Sequence, residues 1–231
     1  MYFDAEWSQV LTERDAALLR SLQDSGLKLE TTDFTRQMDD RLTSYYQERN
    51  TEFLEYTSGY ILRSLLADLG YPEVPEPVIR RALRDWYATT QAHWQVEADT
   101  VPTLETLRER GYRLGLVSNA GDDDDVHTLV DQFGIRPYFE VIVTSAAQGI
   151  RKPNPRIFHT ALRHWQAAPE QAVMVGDSLG ADILGARNAG MLAVWITRHA
   201  DTAANQAHLD TIQPDASISA LSELPDLLEN L

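Results

Sequence analysis

The sequence of 231 residues contains no cysteine. A disulfide framework, a thiolate nucleophile and a zinc site built on thiolates are therefore excluded for this chain. Basic residues are also scarce: 20 Lys and Arg stand against 35 Asp and Glu, which gives a formal net charge of −15 at pH 7. This excess of acid argues against nucleic acid or an anionic membrane as a partner, because either requires a basic face.

Long apolar runs are missing as well. No stretch of the sequence approaches the ~20 apolar residues that a membrane span requires. Residues 1–4 have neither the basic start nor the apolar run of a signal peptide. We therefore expect a soluble, cytoplasmic protein, and its 43% of hydrophobic residues is enough for a substantial core.

The first part of the chain has the hydrophobic pattern of helices. Its apolar residues recur at helical spacing, with almost no strand pattern. Three such stripes are Trp7, Leu11, Leu18 and Leu22; Ile61, Leu62, Leu65, Leu66 and Leu69; and Val78, Ile79, Ala82, Leu83, Trp86 and Tyr87. We predict a domain of packed helices over residues 1–97.

In the second part, from residue 98 to residue 231, helix and strand patterns alternate. The segments that predict strands are 113–117, 139–143, 172–175, 192–196 and a short edge strand at 216–218. Short apolar strands that alternate with helices are typical of a parallel sheet covered on both faces. The predicted fold is therefore α/β, a doubly wound parallel sheet with an N-terminal helical domain.

Ligands of an open parallel sheet bind beyond the carboxyl ends of its strands. Ser118 and Asn119 directly follow the first predicted strand of this half. A hydroxyl and an amide at such a position can donate hydrogen bonds to a phosphate oxygen. Taken alone, an ordinary turn that caps the next helix is the better interpretation.

Lys152 lies in a loop stiffened by two prolines, Pro153 and Pro155. A lysine fixed in such a loop can neutralise a phosphate or a carboxylate as a point charge. Most lysines are solvated surface residues, and on its own this one fits that interpretation better.

Asp177 follows another predicted strand, and Asp182 comes five residues later, about one turn into the next helix. Two carboxylates at this spacing can converge on one hard cation. Mg²⁺ suits such a site, because it keeps several waters and takes only one or two carboxylates plus a phosphate oxygen. The alternative is an Asp that caps a helix, followed by an incidental acid.

The order of these groups resembles the haloacid dehalogenase-like superfamily. The resemblance identifies Ser118 with the second motif, Lys152 with the third, and Asp177 and Asp182 with the fourth. It implies that Ser118 and Lys152 are catalytic, that both bind phosphate together with Asn119, and that the two aspartates bind Mg²⁺. It also implies that residues 1–97 form a helical cap domain, inserted after the first core strand.

The resemblance implies a Mg²⁺-dependent phosphatase that acts on a small phosphorylated metabolite through an aspartyl-phosphate. A non-catalytic protein that binds metal and phosphate remains an alternative. A haloacid dehalogenase is a further alternative, but its chemistry needs no metal and its fourth motif lacks this pair of aspartates. Substrate identity and oligomeric state do not follow from the sequence.

The first motif of the family, a strand ending in Asp-x-Asp-x-Thr or Asp-x-x-Gly-Thr, is missing from this sequence. Its first Asp is the nucleophile. The single candidate is Asp4, but only three residues precede it, and the first predicted helix begins at Trp7 or Ser8. We expect that the first core strand lies upstream of Met1 in a longer natural protein, with Asp4 as nucleophile the alternative.

A run of four acidic residues, 122–125, follows Ser118 and Asn119 at a short distance. Acidic side chains stabilise the first turn of a helix, because the free N–H groups there carry partial positive charge. The run is therefore interpreted as a solvated helix N-terminus with no role in binding.

Overall fold

The computed structural model describes the backbone of residues 1–231 and every side chain except that of Asn50. The chain divides into two compact units, which are Met1–Gln95 with Ala120–Leu129, and Val96–Asn119 with Val130–Leu231. We call them the helical unit and the sheet unit. The predicted ranges, 1–97 and 98–231, differ from these units because residues 120–129 group with the helical unit. The assignment of a cap domain and a core domain stays a prediction.

The helical unit is built mainly from four helices. They are α1 Trp7–Asp24, α2 Thr31–Glu52, α3 Ser58–Asp68 and α4 Glu76–Gln91. Trp7, predicted on the first apolar stripe, is 48% exposed and stacks on Phe3. Most of the other stripe residues pack in a common core, where Leu18, Leu62 and Ile79 are fully buried. Burial of these side chains stabilises the unit by about 1.5–3 kcal/mol each.

A small antiparallel ribbon accompanies these helices. It pairs β1, Tyr2–Phe3, with β2, Trp94–Gln95, and the amide of Asp4 donates to the His93 carbonyl over 2.9 Å. Residues 2–4 are therefore held in an extended conformation by backbone hydrogen bonds to residues 93–95. Asp4 lies beside this ribbon and belongs to none of the parallel strands of the described chain, which does not favour it as a nucleophile.

The sheet unit alternates strands with helices. Its strands are β3 Gly115–Ser118, β4 Val141–Thr144, β5 Val173–Gly176, β6 Leu192–Ile196 and β7 Ala216–Ile218. Its helices are α5 Thr100–Glu109, α6 Asp123–Gln132, α7 Ser145–Gln148, α8 Pro155–Trp165, α9 Leu184–Asn188, α10 Ala203–Gln206 and α11 Leu224–Leu228. Short 3-10 helices span Arg136–Tyr138, Pro169–Gln171 and Leu221–Glu223, and a π-helix spans Leu179–Ile183. The N-terminal part of α6 falls within the helical unit.

All strand pairs of the sheet unit are parallel, which confirms the predicted α/β fold. β3 pairs with β4, so that Ser118 lies opposite Thr144. β5 pairs with β6, and β6 pairs with β7 on its other side. The strands form two groups, β3–β4 and β5–β6–β7.

Four strands of the sheet unit have an edge that no described strand pairs with: β3, β4, β5 and β7. Two of them, β3 and β5, end at predicted site residues. All residues of both strands are only half-buried, although apolar residues such as Val117 and Val175 dominate them. Strands inside a parallel sheet are normally buried on both faces. The described chain thus contains no strand that joins the two groups.

Apolar clusters cover both faces of these strands. On one face, Ile157 and Phe158 of α8 pack with Val117 and Met174. On the other face, Leu107 of α5 joins the cluster that receives Val173 and Val175. Successive β5 side chains therefore alternate between two cores, as expected for a strand in a doubly covered sheet. None of the described helices has both the length and the apolar character that a membrane span requires.

Candidate active site

The predicted site residues of the sheet unit occupy strand ends and the loops that follow them. Ser118 is the last residue of β3, and Asp177 directly follows β5. Ser118 is half-buried, and its hydroxyl makes no hydrogen bond with a described side chain or backbone group. The hydroxyl is therefore available to a ligand at the carboxyl end of β3.

Lys152 is fixed through its backbone by Asn119. The Lys152 N–H donates to Asn119 Oδ1 over 2.8 Å, and Asn119 Nδ2 donates to the Lys152 carbonyl over 3.1 Å. These two hydrogen bonds join the residue after β3 to the loop before α8. The Asn119 amide thus supports Lys152, and its predicted contact with phosphate stays a prediction.

The Lys152 side chain is only 9% exposed and ends between two oxygen atoms. Nζ donates to the Val117 carbonyl over 2.7 Å and lies 2.7 Å from Asp182 Oδ1. A lysine ammonium has three N–H donors, so one donor remains without a partner among the described residues. The ion pair also balances one buried negative charge with one positive charge.

Asp182 is 4% exposed and lies in the π-helix that follows β5. Its Oδ2 accepts a hydrogen bond of 3.0 Å from the Ser178 amide. Its Oδ1 has no hydrogen bond of normal geometry with the described residues and is paired with the Lys152 ammonium. The carboxylate lies directly over Gly176, where an added Cβ would overlap it. Only glycine at this position leaves room for the acid at the strand end. π-helical turns are rare and are frequent at functional sites.

Asp177 differs from Asp182 because its side chain is exposed. Its carboxylate makes no hydrogen bond or ion pair with the described residues, so it can bind a ligand without losing a partner. Its backbone carbonyl is held firmly, since it accepts hydrogen bonds from Trp195 Nε1 over 3.0 Å and from Asn205 Nδ2 over 2.8 Å. The backbone is fixed while the carboxylate is free.

The two aspartates fit Mg²⁺ in the chemistry of their donor atoms. Mg²⁺ prefers oxygen ligands and is usually held by one or two carboxylates, waters and a substrate phosphate. Asp177 offers unpaired carboxylate oxygens, and Asp182 Oδ1 has the Lys152 ammonium as its partner at 2.7 Å. Among the described residues, however, no three His, Asp or Glu side chains are close enough to form a complete metal site. The residues present fit a weak cation site.

The structure thus joins Asn119 to Lys152 and Lys152 to Asp182, and it leaves the polar groups of Ser118 and Asp177 free for a ligand. Sequence reasoning missed Asn205 and Trp195, which hold the Asp177 backbone. Neither residue belongs to a motif, and their positions beside Asp177 depend on how β6 and α10 fold. No sequence signal identifies them.

The acidic run 122–125, in the helical unit, was predicted to be solvated, and for Asp122 this is wrong. Asp122 is 6% exposed, caps α6 by accepting from the Asp125 amide over 3.2 Å, and lies 3.3 Å from an Arg80 nitrogen. Burial raises the pKa of Asp122, and burial raises the pKa of Asp125 to about 6, although Gln91 donates to the Asp125 carboxylate over 2.8 Å. The run packs against α4 because α4 supplies these partners.

Comparisons with known proteins agree with this architecture. A model of the haloacid dehalogenase-like hydrolase family matches residues 26–196. A glyceraldehyde 3-phosphate phosphatase of Methanopyrus kandleri is 32% identical over 231 residues, covering 97% of this chain and 92% of that protein. Another, of Methanothermobacter thermautotrophicus, is 40% identical over 131 residues, covering 56% of this chain and 57% of that protein. The crystal structure of a HAD phosphatase from Thermococcus onnurineus is 26% identical, with a TM-score of 0.61, and the match covers 95% of this chain and 89% of that one. This chain belongs to the haloacid dehalogenase-like hydrolase family.

Proposed function

We propose that this chain forms the metal and phosphate site of a Mg²⁺-dependent phosphatase for a small phosphomonoester. The observation that carries the proposal is the buried pair of Lys152 and Asp182 beside the free carboxylate of Asp177. Family membership and relatives that are themselves named phosphatases support it. A small phosphorylated metabolite is the corresponding partner, and a cytoplasmic location stays a prediction.

The chain's own residues divide the work between the phosphate and the metal. The remaining N–H donor of Lys152 and the free hydroxyl of Ser118 bind phosphate oxygens, and Asn119 keeps Lys152 in place. Asp177 and Asp182 hold the cation. When bound, Mg²⁺ neutralises charge that develops on the transferred phosphoryl group. Positioning and electrostatic stabilisation supply most of the rate in such reactions.

The proposed route through an aspartyl-phosphate needs a nucleophile that the described residues do not supply. Asp4 lies beside the antiparallel ribbon of the helical unit. The unpaired edges of β3 and β5 are where an additional strand would carry an aspartate to the site. Without that strand, we expect this chain to hold metal and phosphate weakly and to turn over almost no substrate.

The second candidate is a protein that binds metal and phosphate without catalysis. The open edges of β3 and β5 favour it, because no described strand brings a further carboxylate to the site along them. The two candidates differ in one respect: only the phosphatase gains activity when a strand with an aspartate is supplied. A haloacid dehalogenase is less favoured, because its reaction has no use for the Asp177 and Asp182 pair.

The substrate is proposed to be selected by the helical unit acting as a cap domain. Exposed aromatic side chains on this unit include Tyr46 and Tyr60. The class of phosphomonoester therefore depends on this surface, and the identity of the substrate does not follow from the sheet unit.

Hydrolysis of p-nitrophenyl phosphate tests the proposal. The purified chain is assayed with MgCl₂ and with EDTA, alone and with a synthetic peptide of about five apolar residues, the usual strand length, followed by Asp-x-Asp-x-Thr. We expect Mg²⁺-dependent turnover only with the peptide, and its loss when the first Asp of the peptide is replaced by Asn. In the chain, Asp177→Asn abolishes this turnover, and the exposed Asp210→Asn leaves it unchanged.

Two results would overturn parts of this proposal. Turnover by the chain alone that Asp4→Asn abolishes makes Asp4 the nucleophile. A peptide that binds, as judged by an increase in thermal stability, without any turnover favours the non-catalytic candidate.

A further inference from the structure

Asn205 is buried, with 4% of its surface exposed, and its side-chain amide is almost fully used. Its Oδ1 accepts a hydrogen bond of 2.8 Å from the Leu179 amide. Its Nδ2 donates to the Asp177 carbonyl and to the Ala200 carbonyl, each over 2.8 Å. One amide therefore bonds to the backbone on both sides of Ser178, in the loop that carries the candidate metal ligands.

The hydrogen bond to the Asp177 carbonyl has a consequence for Asp182. The Asp177 carbonyl and the Ser178 amide belong to the same peptide group. A trans peptide is planar, so its C=O and N–H point in opposite directions. Asn205 and Trp195 hold the C=O side, while the N–H side donates to Asp182 Oδ2 over 3.0 Å. Fixing the carbonyl thereby fixes the donor that orients the Asp182 carboxylate.

Asn205 is itself held in place by its surroundings. Its backbone amide donates to Thr202 Oγ1, which caps α10, over 3.2 Å. The Ala200 carbonyl accepts one of its side-chain protons, so the amide cannot rotate without losing a bond. A buried amide whose bonds all reach the backbone is costly to change, because each partner left unsatisfied costs about 1–3 kcal/mol.

We propose that Asn205 is a positioning residue that fixes the backbone of one candidate metal ligand, Asp177, and the direction of the carboxylate of the other, Asp182. It reaches Asp177 through the backbone carbonyl and Asp182 through the Ser178 amide of the same peptide group. This inference rests on the proposed function, since it assigns Asn205 to the cation site of that function. Residues that orient metal ligands in this way typically contribute about 10–100-fold to metal affinity.

Binding of Mn²⁺, followed by the electron paramagnetic resonance of the free ion, tests the effect on the metal. Asn205→Ala is expected to weaken binding by about 10–100-fold. Trp195→Phe removes the other hydrogen bond to the Asp177 carbonyl. It is expected to weaken Mn²⁺ binding less than Asn205→Ala, because Asn205 remains. Glu223→Ala is the matched control, since the Glu223 carboxylate accepts three hydrogen bonds in the same unit but none from this loop.

Amide hydrogen exchange without metal tests the positioning separately. We expect the Ser178 and Leu179 amides to exchange at least about tenfold faster in Asn205→Ala, because the loop opens locally once its anchor is gone. Glu223→Ala should leave both rates unchanged. In Asn205→Asp, a carboxylate oxygen still accepts from the Leu179 amide, but the other oxygen cannot donate to the Asp177 carbonyl. The Leu179 amide should therefore stay protected from exchange, and the Ser178 amide should not.

The two measurements separate the inference from the proposed function. Unchanged Ser178 and Leu179 exchange in Asn205→Ala, or equal loss of Mn²⁺ affinity in Asn205→Ala and Glu223→Ala, would overturn the positioning role. If the parent chain binds no Mn²⁺ at all, the proposed metal site is wrong, and exchange alone decides whether Asn205 fixes the loop.

Discussion

The buried ion pair between Lys152 and Asp182 makes a quantitative prediction about stability. Both side chains are almost inaccessible, with 9% and 6% of their surfaces exposed, and Nζ lies 2.7 Å from Oδ1. In Lys152→Met, the Asp182 carboxylate stays buried with only the Ser178 amide as a partner. In Asp182→Leu, the ammonium stays buried with only the Val117 carbonyl. Each single change leaves an uncompensated charge, so each should lower the free energy of unfolding by about 3–5 kcal/mol.

The double variant should lose much less than the two single variants together. With both charges removed, the remaining penalty comes from the Val117 carbonyl and the Ser178 amide, which lose their partners at about 1–3 kcal/mol each. The two apolar side chains recover part of this by packing in a buried site. We therefore expect a favourable coupling energy between Lys152 and Asp182 of about 2 kcal/mol or more.

Urea unfolding at pH 7, followed by circular dichroism, gives the free energies for this double-mutant cycle. The control cycle uses the exposed pair of Arg113 and Glu140, which lie 2.9 Å apart with side chains 51% and 43% exposed. That pair should show a coupling below about 1 kcal/mol, because solvent screens it. If both pairs show the same coupling, the ion pair at the site is not buried as described, and the reasoning is wrong.

Three further predictions concern the two units separately. In the helical unit, the raised pKa of Asp125, about 6 against 3.8 for the free side chain, means that its ionised form opposes folding. Its contribution to stability is present below pH 3.8 and is lost as the pH rises through 6. Asp125→Asn should therefore stabilise the chain at pH 8, by on the order of 1 kcal/mol after screening, and should have almost no effect at pH 4. Equal effects at both pH values would contradict this. In the sheet unit, Gly176→Ala should displace the Asp182 carboxylate and destabilise the fold by about 1–3 kcal/mol, which thermal unfolding measures and a change below about 0.5 kcal/mol would refute. Phe158→Ala should lower the free energy of unfolding by about 3–5 kcal/mol, because this α8 side chain is only 1% exposed. Urea unfolding measures the change.

The sequence identified the elements whose signal is local. The strands β6 and β7 lie at the predicted residues, 192–196 and 216–218, because short apolar runs between turns mark buried strands. β3 and β4 are shifted by one or two residues at their ends, since patterns of apolar residues do not fix where pairing stops. The parallel arrangement followed from the alternation of strands with helices.

Features that depend on contacts between distant residues were not predictable in the same way. Asp122 read as a solvated acid, but α4 buries it, and no local pattern reveals that packing. Asn205 lies 28 residues after Asp177 and bonds to its backbone only once β6 and α10 have folded. The loop around Lys152 made this lysine a candidate site residue. Its ion pair with Asp182 was not predictable, because it depends on the π-helix that places the Asp182 carboxylate beside it.

We propose that the carboxyl ends of β3 and β5 form one site for a divalent cation and a phosphate. Isothermal titration calorimetry of MgCl₂ into the chain, with and without inorganic phosphate, tests it directly. We expect weak Mg²⁺ binding that becomes tighter with phosphate, is lost in Asp177→Asn and is unchanged in Asp210→Asn. Equal Mg²⁺ binding by the parent chain and Asp177→Asn, or Mg²⁺ binding that phosphate does not affect, would contradict a shared site.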